Sequence, residues 1–407
     1  MAVAQHERRR ILFVAEAVTL AHVARPLALA RSLDPARYEV HFACADRYDS
    51  CFAGDGFRRW PIVSISPARF LEALAAGKPL YDMKVLQQYM EEDLAVIAAV
   101  RPDLVVGDFR LSLAVSAPLS KVTYAALTNA QWSPYATARS FPLPEHPLTA
   151  LVSVRIAYLI FNCIRPAVFA LHARPLNALR RKSGLPELGD LRHAYTHGDY
   201  TLYADTPDLV PTANLPANHA YLGPILWSPD MALPGWWDTL PSDRPWIYVT
   251  LGSSGQLDVL PHVVSALAEL PVYALVATAG RLDMGTTPRN IWAADYLPGL
   301  LAARHSMVVI CNGGSATAYQ ALAAGVPVLG IASNMDQHLT MTAISQAGAG
   351  ILVRAGSVSG RGIQEAIQTM LAKPDYHIAA RRVAQEFALF DAPARFRAFL
   401  ESHFGER

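Results

Sequence analysis

Short apolar runs alternate with longer helical stretches along this chain, twice over, and that alternation restricts the fold more than any other feature. In the first half Ile11–Ala15 reads as a strand and Val23–Leu33 as a helix. Tyr38–Ala43 reads as a strand, Leu86–Val100 as a helix, and Leu104–Val106, Thr123–Leu127 and Thr201–Ala204 as further strands. After Pro245 the pattern resumes: Trp246–Leu251, Tyr273–Ala277, Met307–Cys311, Val328–Ile331 and Ile351–Val353 are strand-like, and Val259–Leu270 is helical. Strand and helix signals in alternation predict parallel sheets with helices on both faces. Between the two series, Thr206–Pro234 carries six prolines and little periodicity, which marks a joint. A chain of 407 residues suffices for two domains, each with its own core. In such sheets ligands bind beyond the carboxyl ends of the strands.

The formal net charge is +1, which offers nucleic acid no electrostatic footing. Four cysteines (Cys44, Cys51, Cys163 and Cys311) are widely spaced and form no metal-ligand pattern, so a reducing cytoplasm is expected rather than a disulfide scaffold. Arg8–Arg10 precede an apolar run that stops at Glu16, too short for a secretory core. No stretch of about twenty uninterrupted apolar residues occurs, and no membrane span is expected. Leu148–Ala173 is rich in Leu, Val, Ile and Phe, interrupted by Arg155, Asn162, Arg165 and Pro166. We read it as a helix pair covering the first sheet; the alternative is an apolar helix in peripheral contact with a membrane or an apolar acceptor, with Arg174 and Arg180–Lys182 as a basic flank.

The run Met307–Cys311 leads into Asn312-Gly313-Gly314-Ser315-Ala316-Thr317 and a helix from Ala316 to Ala324. A strand ending in glycines at a helix N-terminus is an anion site, because free N–H groups and the positive end of the helix dipole converge there. Gln320, Gly325-Val326-Pro327 and then Asp336-Gln337 follow at short intervals. This stretch resembles the donor-sugar signature of the family 1 glycosyltransferases, nucleotide-sugar transferases of GT-B fold.

The resemblance implies a GT-B architecture, two doubly wound Rossmann-like domains facing each other across a cleft. It divides the chain into an acceptor-binding domain at 1–215, a nucleotide-sugar domain at 216–385, and a C-terminal helix at 386–407 packing back on the first domain. It also implies an inverting transfer from a UDP- or dTDP-sugar to a hydroxyl of a small apolar acceptor, without metal or cofactor. On the donor side the turn Asn312–Thr317 would hold the diphosphate, Gly252, Ser253 and Ser254 would reach phosphate oxygens, Tyr296 and Leu297 would pack on the base, and Asp336 and Gln337 would bind the sugar. Gln320 stands where a ribose-binding glutamate is usual, which leaves a deoxyribose donor open, and Asn312 replaces a histidine. Gly299 takes the place of a glutamine in the base loop.

His22 would be the general base, on the loop after the first strand, a role suited to its unperturbed pKa. Pro26 follows as in the family, with Ala21 in place of glycine. Asp108, rather than Asp103, would orient the imidazole; its alternative reading is a helix N-cap. Trp132, Tyr135 and Phe141 are candidates for the acceptor pocket. His338 beside Asp336 supplies two metal-ligand types, too few for a site. Two other functions fit the fold: a nucleotide-sugar 2-epimerase and a non-catalytic partner that activates another transferase.

Overall fold

The structure, a computed structural model, describes residues 8–138, 140–145, 152–229, 231–252, 255–256, 258–282 and 284–404. The chain forms two units. The first comprises residues 1–139, 160–225 and 390–407, and the second residues 140–159 and 226–389.

The first unit is built on a seven-stranded sheet: β1 (Arg9–Ala15), β2 (Tyr38–Cys44), β3 (Arg58–Pro61), β4 (Leu104–Asp108), β5 (Thr123–Thr128), β6 (Tyr200–Tyr203) and β7 (His219–Tyr221). The strand order is β3-β2-β1-β4-β5-β6-β7, and every pairing is parallel. Ile11, Leu12 and Phe13 on β1 have no exposed surface, as expected of a central strand covered on both faces. β7 lies past the expected boundary at 215, and its pairing with β6 keeps the chain in this unit as far as Ile225. The C-terminal helix Ala392–Phe404 belongs to this unit, with the Phe396 ring centroid 5.9 Å from that of Phe13.

The second unit holds a six-stranded parallel sheet: β8 (Trp246–Thr250), β9 (Tyr273–Ala277), β10 (Ile291–Ala294), β11 (Val308–Cys311), β12 (Val328–Ala332) and β13 (Gly350–Arg354), in the order β10-β9-β8-β11-β12-β13. Ile247, Val249, Ile310 and Leu329 pack with Val263, Leu267, Ile363 and Ile367 into a core without solvent access. β3, β7 and β10 are the strands that periodicity missed. Each has three or four residues: Arg58 and Arg59 break the apolar pattern of β3 and His219 that of β7, whereas β10, Ile291–Ala294, is apolar but too short to show a period.

One expectation is overturned. Among the described residues of Leu148–Ala173, which begin at 152, there is no helix pair; a single helix of 29 residues runs Val154–Lys182. Pro166 and Pro175 lie inside it without ending it, since each removes one hydrogen bond while the surrounding Ala, Leu and Arg favour continuation. By length and composition it could cross a membrane. The division between the units falls within it, at Leu159–Ile160.

Candidate active site

β1 and β4 are neighbours, and their register sets Ala15 opposite Asp108. The chain leaving β1 therefore begins its next helix beside the end of β4. That helix, Leu20–Arg31, starts earlier than periodicity indicated because Thr19 is already extended at φ −137°. His22 is thus in the first helical turn rather than on a loop. Pro26, having no N–H, cannot bond back to the carbonyl of His22. The His22 Nδ1 atom is 2.9 Å from Asp108 Oδ1, and the carboxylate is fully buried. A carboxylate only accepts, so Nδ1 carries the proton and donates it, leaving Nε2 as the basic atom. Asp108 caps no helix: the next one, Leu113–Ser120, has Ser112 at its N-cap. Asp103 sits at the other end of β4 and accepts from Arg9 Nη1 at 3.1 Å and the Arg10 amide at 2.9 Å.

Two residues of this half were missed from sequence. Arg25 is buried and donates through Nε to Asp108 Oδ2 at 2.9 Å and through Nη2 to Oδ1 at 2.7 Å. Its Nη1 donates to Asn129 Oδ1 at 2.7 Å, and Asn129 in turn donates to Asp205 at 2.8 Å. The forked pairing balances the buried carboxylate while leaving its bond to His22 intact. The available signal was spacing, since a residue three after His22 shares its helical face. Phe109 is the second: at φ 59° it holds a left-handed conformation unusual for an aromatic residue, and its ring stacks on His22 at 4.5 Å and 7°.

A buried ionic network braces the loops that carry the pair. Arg110 donates to Glu16 at 3.2 Å and to Asp93 at 3.0 Å, and the Tyr89 hydroxyl donates to Glu16 at 3.1 Å. Ser112 donates to Asp93 at 2.5 Å. Burial pushes Glu16 up to about 7 against the opposing pull of Arg110.

Of the acceptor candidates, Trp132 lies edge-on to Tyr195 at 5.1 Å, and Tyr195 is 5.4 Å from Phe109. A row of rings therefore runs from His22 to Trp132. Tyr135 is placed apart from it, edge-on to His219 at 5.4 Å. Phe141 is 2% exposed and is grouped with the second unit.

In the second unit, β11 ends at Cys311 and the helix Ser315–Ala323 begins after Gly314. Asn312 is buried, and its Oδ1 accepts the Gly314 amide at 3.0 Å; the Cys311 sulfur accepts that of Gly313 at 3.3 Å. Both glycine amides of the turn thus have intramolecular acceptors. The helix has no side-chain cap and no acidic residue in its first turn. The amides of Ser315, Ala316 and Thr317 are therefore left at the helix N-terminus without a side-chain cap, the arrangement in which an anion can be accommodated. Gly313 is at φ 78°, and a Cβ there would lie 2.6 Å from Met341 Cγ, so the position requires glycine.

Gly252 follows β8 at φ 60°, and its carbonyl accepts from Arg281 Nη1 at 3.0 Å, as does that of Gly255. Arg281 was also missed from sequence. Ser253 and Ser254 lie outside the described residues. Tyr296 is half exposed after β10 and donates to the Ala279 carbonyl at 3.1 Å, whereas Leu297 is buried. Gln320 donates its amide to the carbonyl of Trp227. Gln337 is buried and completes a capping box with Asn334, its Oε1 accepting from the Ser333 amide at 2.9 Å. Asp336 is partly exposed in the first turn of the same helix, Met335–Gln346. His338 is buried 3.8 Å from Glu145, and among the described residues no group of three or more His, Cys, Asp or Glu could hold a metal ion.

Comparison with known proteins decides the family. A PGL/p-HBAD biosynthesis rhamnosyltransferase of Mycobacterium bovis (strain BCG / Pasteur 1173P2) is 54% identical over 381 residues, covering 93% of this chain and 84% of the relative. The chain is a family 1 glycosyltransferase. A PGL/p-HBAD biosynthesis glycosyltransferase of Mycobacterium tuberculosis (strain ATCC 25177 / H37Ra) is 53% identical over 381 residues, 93% of this chain and 89% of that one. Residues 258–400 of the transferase match the model for the erythromycin biosynthesis protein CIII-like C-terminal domain. Among solved structures, spinosyn rhamnosyltransferase SpnG complexed with thymidine diphosphate aligns at a TM-score of 0.69 and 19% identity, covering 97% of this chain and 100% of that one. The fold of the transferase is accordingly GT-B.

Proposed function

We propose that the enzyme is an inverting rhamnosyltransferase that uses a nucleoside diphosphate donor, thymidine-based, and an apolar acceptor bearing a hydroxyl. The observation that carries this reading is the 2.9 Å pair of His22 and the buried Asp108. Nε2 of His22 takes the acceptor proton as the acceptor oxygen bonds to the anomeric carbon. The bond from that carbon to the diphosphate oxygen breaks in the same displacement, and the leaving group departs with the electron pair. Asp108 stabilises the imidazolium that forms. A single displacement from the opposite face inverts the anomeric centre.

The leaving diphosphate is met by the uncapped amides of Ser315–Thr317 and the helix dipole. The 54% identical relative named a rhamnosyltransferase supports the sugar. Thymidine diphosphate in a structural relative supports the base, and the engagement of Gln320 with Trp227 is consistent with a less demanding grip on ribose. The ring row Phe109, Tyr195 and Trp132 favours an apolar acceptor.

The test is His22→Ala. Transfer should fall by about 10²–10⁴ while thymidine diphosphate binding, read by calorimetry, stays within about twofold. Proton NMR of the wild-type product should show the anomeric configuration opposite to that of the donor. Wild-type turnover in the variant, or a retained configuration, would remove the assignment.

A further inference from the structure

The helix Val154–Lys182 divides its surface unevenly. Ala157, Phe169, Ala173, Leu176 and Leu179 are buried. On the opposite side Ile156, Leu159, Ile160, Ile164 and Leu171 are between 45% and 63% exposed. At 100° per residue these five side chains fall within about 140° of arc, a continuous apolar stripe about four turns long. An unpaired stripe of large aliphatic residues on a protein surface marks an interaction site.

The charges on the helix indicate what covers it. Residues 152–182 contain no Asp or Glu and six cations: Arg155, Arg165, Arg174, Arg180, Arg181 and Lys182. The whole chain is balanced at +1, so this excess is local. Arg174 lies about five turns beyond Ile156 and therefore on the same line of the helix. Arg174, Arg181 and Lys182 are exposed at one end of the stripe, and Arg155 is exposed at the other. An apolar stripe with basic ends fits the boundary between acyl chains and anionic headgroups. A second copy of the same surface would bring these cations against like charge.

We propose that this helix docks the enzyme peripherally on an anionic lipid bilayer. It lies on the bilayer rather than crossing it, because in its C-terminal half Phe169, Ala173, Leu176, Leu179 and the Arg180 side chain are buried in protein. Phe169, one of these buried residues, has its ring centroid 6.3 Å from that of Trp132. The helix thus adjoins the ring row that leads to His22, so docking would bring a lipid-borne acceptor to the base. That last step rests on the proposed function; the docking itself does not.

Flotation of the full chain with vesicles tests the docking without reference to turnover. Phosphatidylcholine vesicles with and without a third of phosphatidylglycerol are compared, together with light scattering of the protein alone. The wild type should float preferentially with the anionic vesicles. Replacing Ile156, Leu159, Ile160 and Ile164 together by Asn should weaken this by about tenfold or more, and Arg155→Glu with Arg174→Glu should abolish the preference for anionic lipid. Because all six side chains are exposed, unchanged thermal midpoints should accompany both effects; a variant that loses stability is replaced by the single change Leu171→Ser, which should weaken flotation measurably. Absence of flotation by the wild type, or equal flotation by the variants, overturns the proposal. So does a dimer in light scattering that the Asn variant dissociates while wild-type flotation is absent, since the stripe would then belong to a second copy of the chain.

Discussion

Replacing Arg25 by Leu asks whether the base pair depends on a buried counter-charge. The Asp108 side chain has no solvent access, and that of Arg25 is 9% exposed. The substitution removes two bonds to the carboxylate, at 2.9 and 2.7 Å, and one to Asn129 at 2.7 Å. His22 then remains as the side-chain partner of a buried anion. Removing one member of such a pair costs about 3–5 kcal/mol, mostly the penalty of the charge left behind. The assay is urea unfolding followed by far-UV circular dichroism, with the first unit read as its own transition if the two separate. A loss of about 4 kcal/mol would move that midpoint by roughly 1–2 M. A double-mutant cycle with Asp108→Asn isolates the pair: the coupling should exceed about 2 kcal/mol, because the neutral amide no longer needs the guanidinium. Arg25→Lys should recover only part of the loss, since an ammonium supplies charge without the fork. A cost below about 1 kcal/mol that stays the same when Asp108→Asn is already in place would refute the reasoning.

Other outcomes follow from the same geometry. Glu16 is raised from 4.5 to about 7 in the folded protein, chiefly by burial. Below the lower value both states hold its proton and above the higher neither does, so between them its contribution to stability is lost as pH rises, by roughly 3 kcal/mol in all. Glu16→Gln should flatten this slope between pH 4.5 and about 7; coincident wild-type and variant profiles of unfolding free energy against pH would dismiss it. Gly313→Ala forces a Cβ to within 2.6 Å of Met341 at φ 78° and should cost roughly 2–4 kcal/mol with weakened thymidine diphosphate binding, read by thermal shift. Phe109→Gly should relieve the φ 59° strain yet lower turnover, as His22 loses its stacking partner; unaltered kcat would show that the ring has no positioning role.

The alternation of β1, β2, β4 and β8 with helices was legible because strands buried on both faces must be apolar throughout. The short edge strands β3, β7 and β10 were not, because three or four residues are too few to establish a period. His22 and Asp108 could each be nominated from the sequence, but Arg25 could not be ranked among many arginines. Its importance arises only when Asp108, far along the chain, arrives unsolvated beside it. The helix Val154–Lys182 was visible as an apolar stretch with basic residues at its end, yet composition alone could not say which of its sides would be covered.

The glycine turn after β11 separates the two kinds of information most clearly. Glycines after a buried strand and before a helix determine, by themselves, that an anion can approach the backbone. Which amides are left for it depends on tertiary detail. Asn312 and Cys311 bend back onto the amides of Gly314 and Gly313, so the free donors begin at Ser315. Local backbone geometry is encoded by neighbouring residues and can be read in order along the chain. Hydrogen-bond allocation is settled by competition among all groups that packing brings together, and the linear sequence does not rank those competitors.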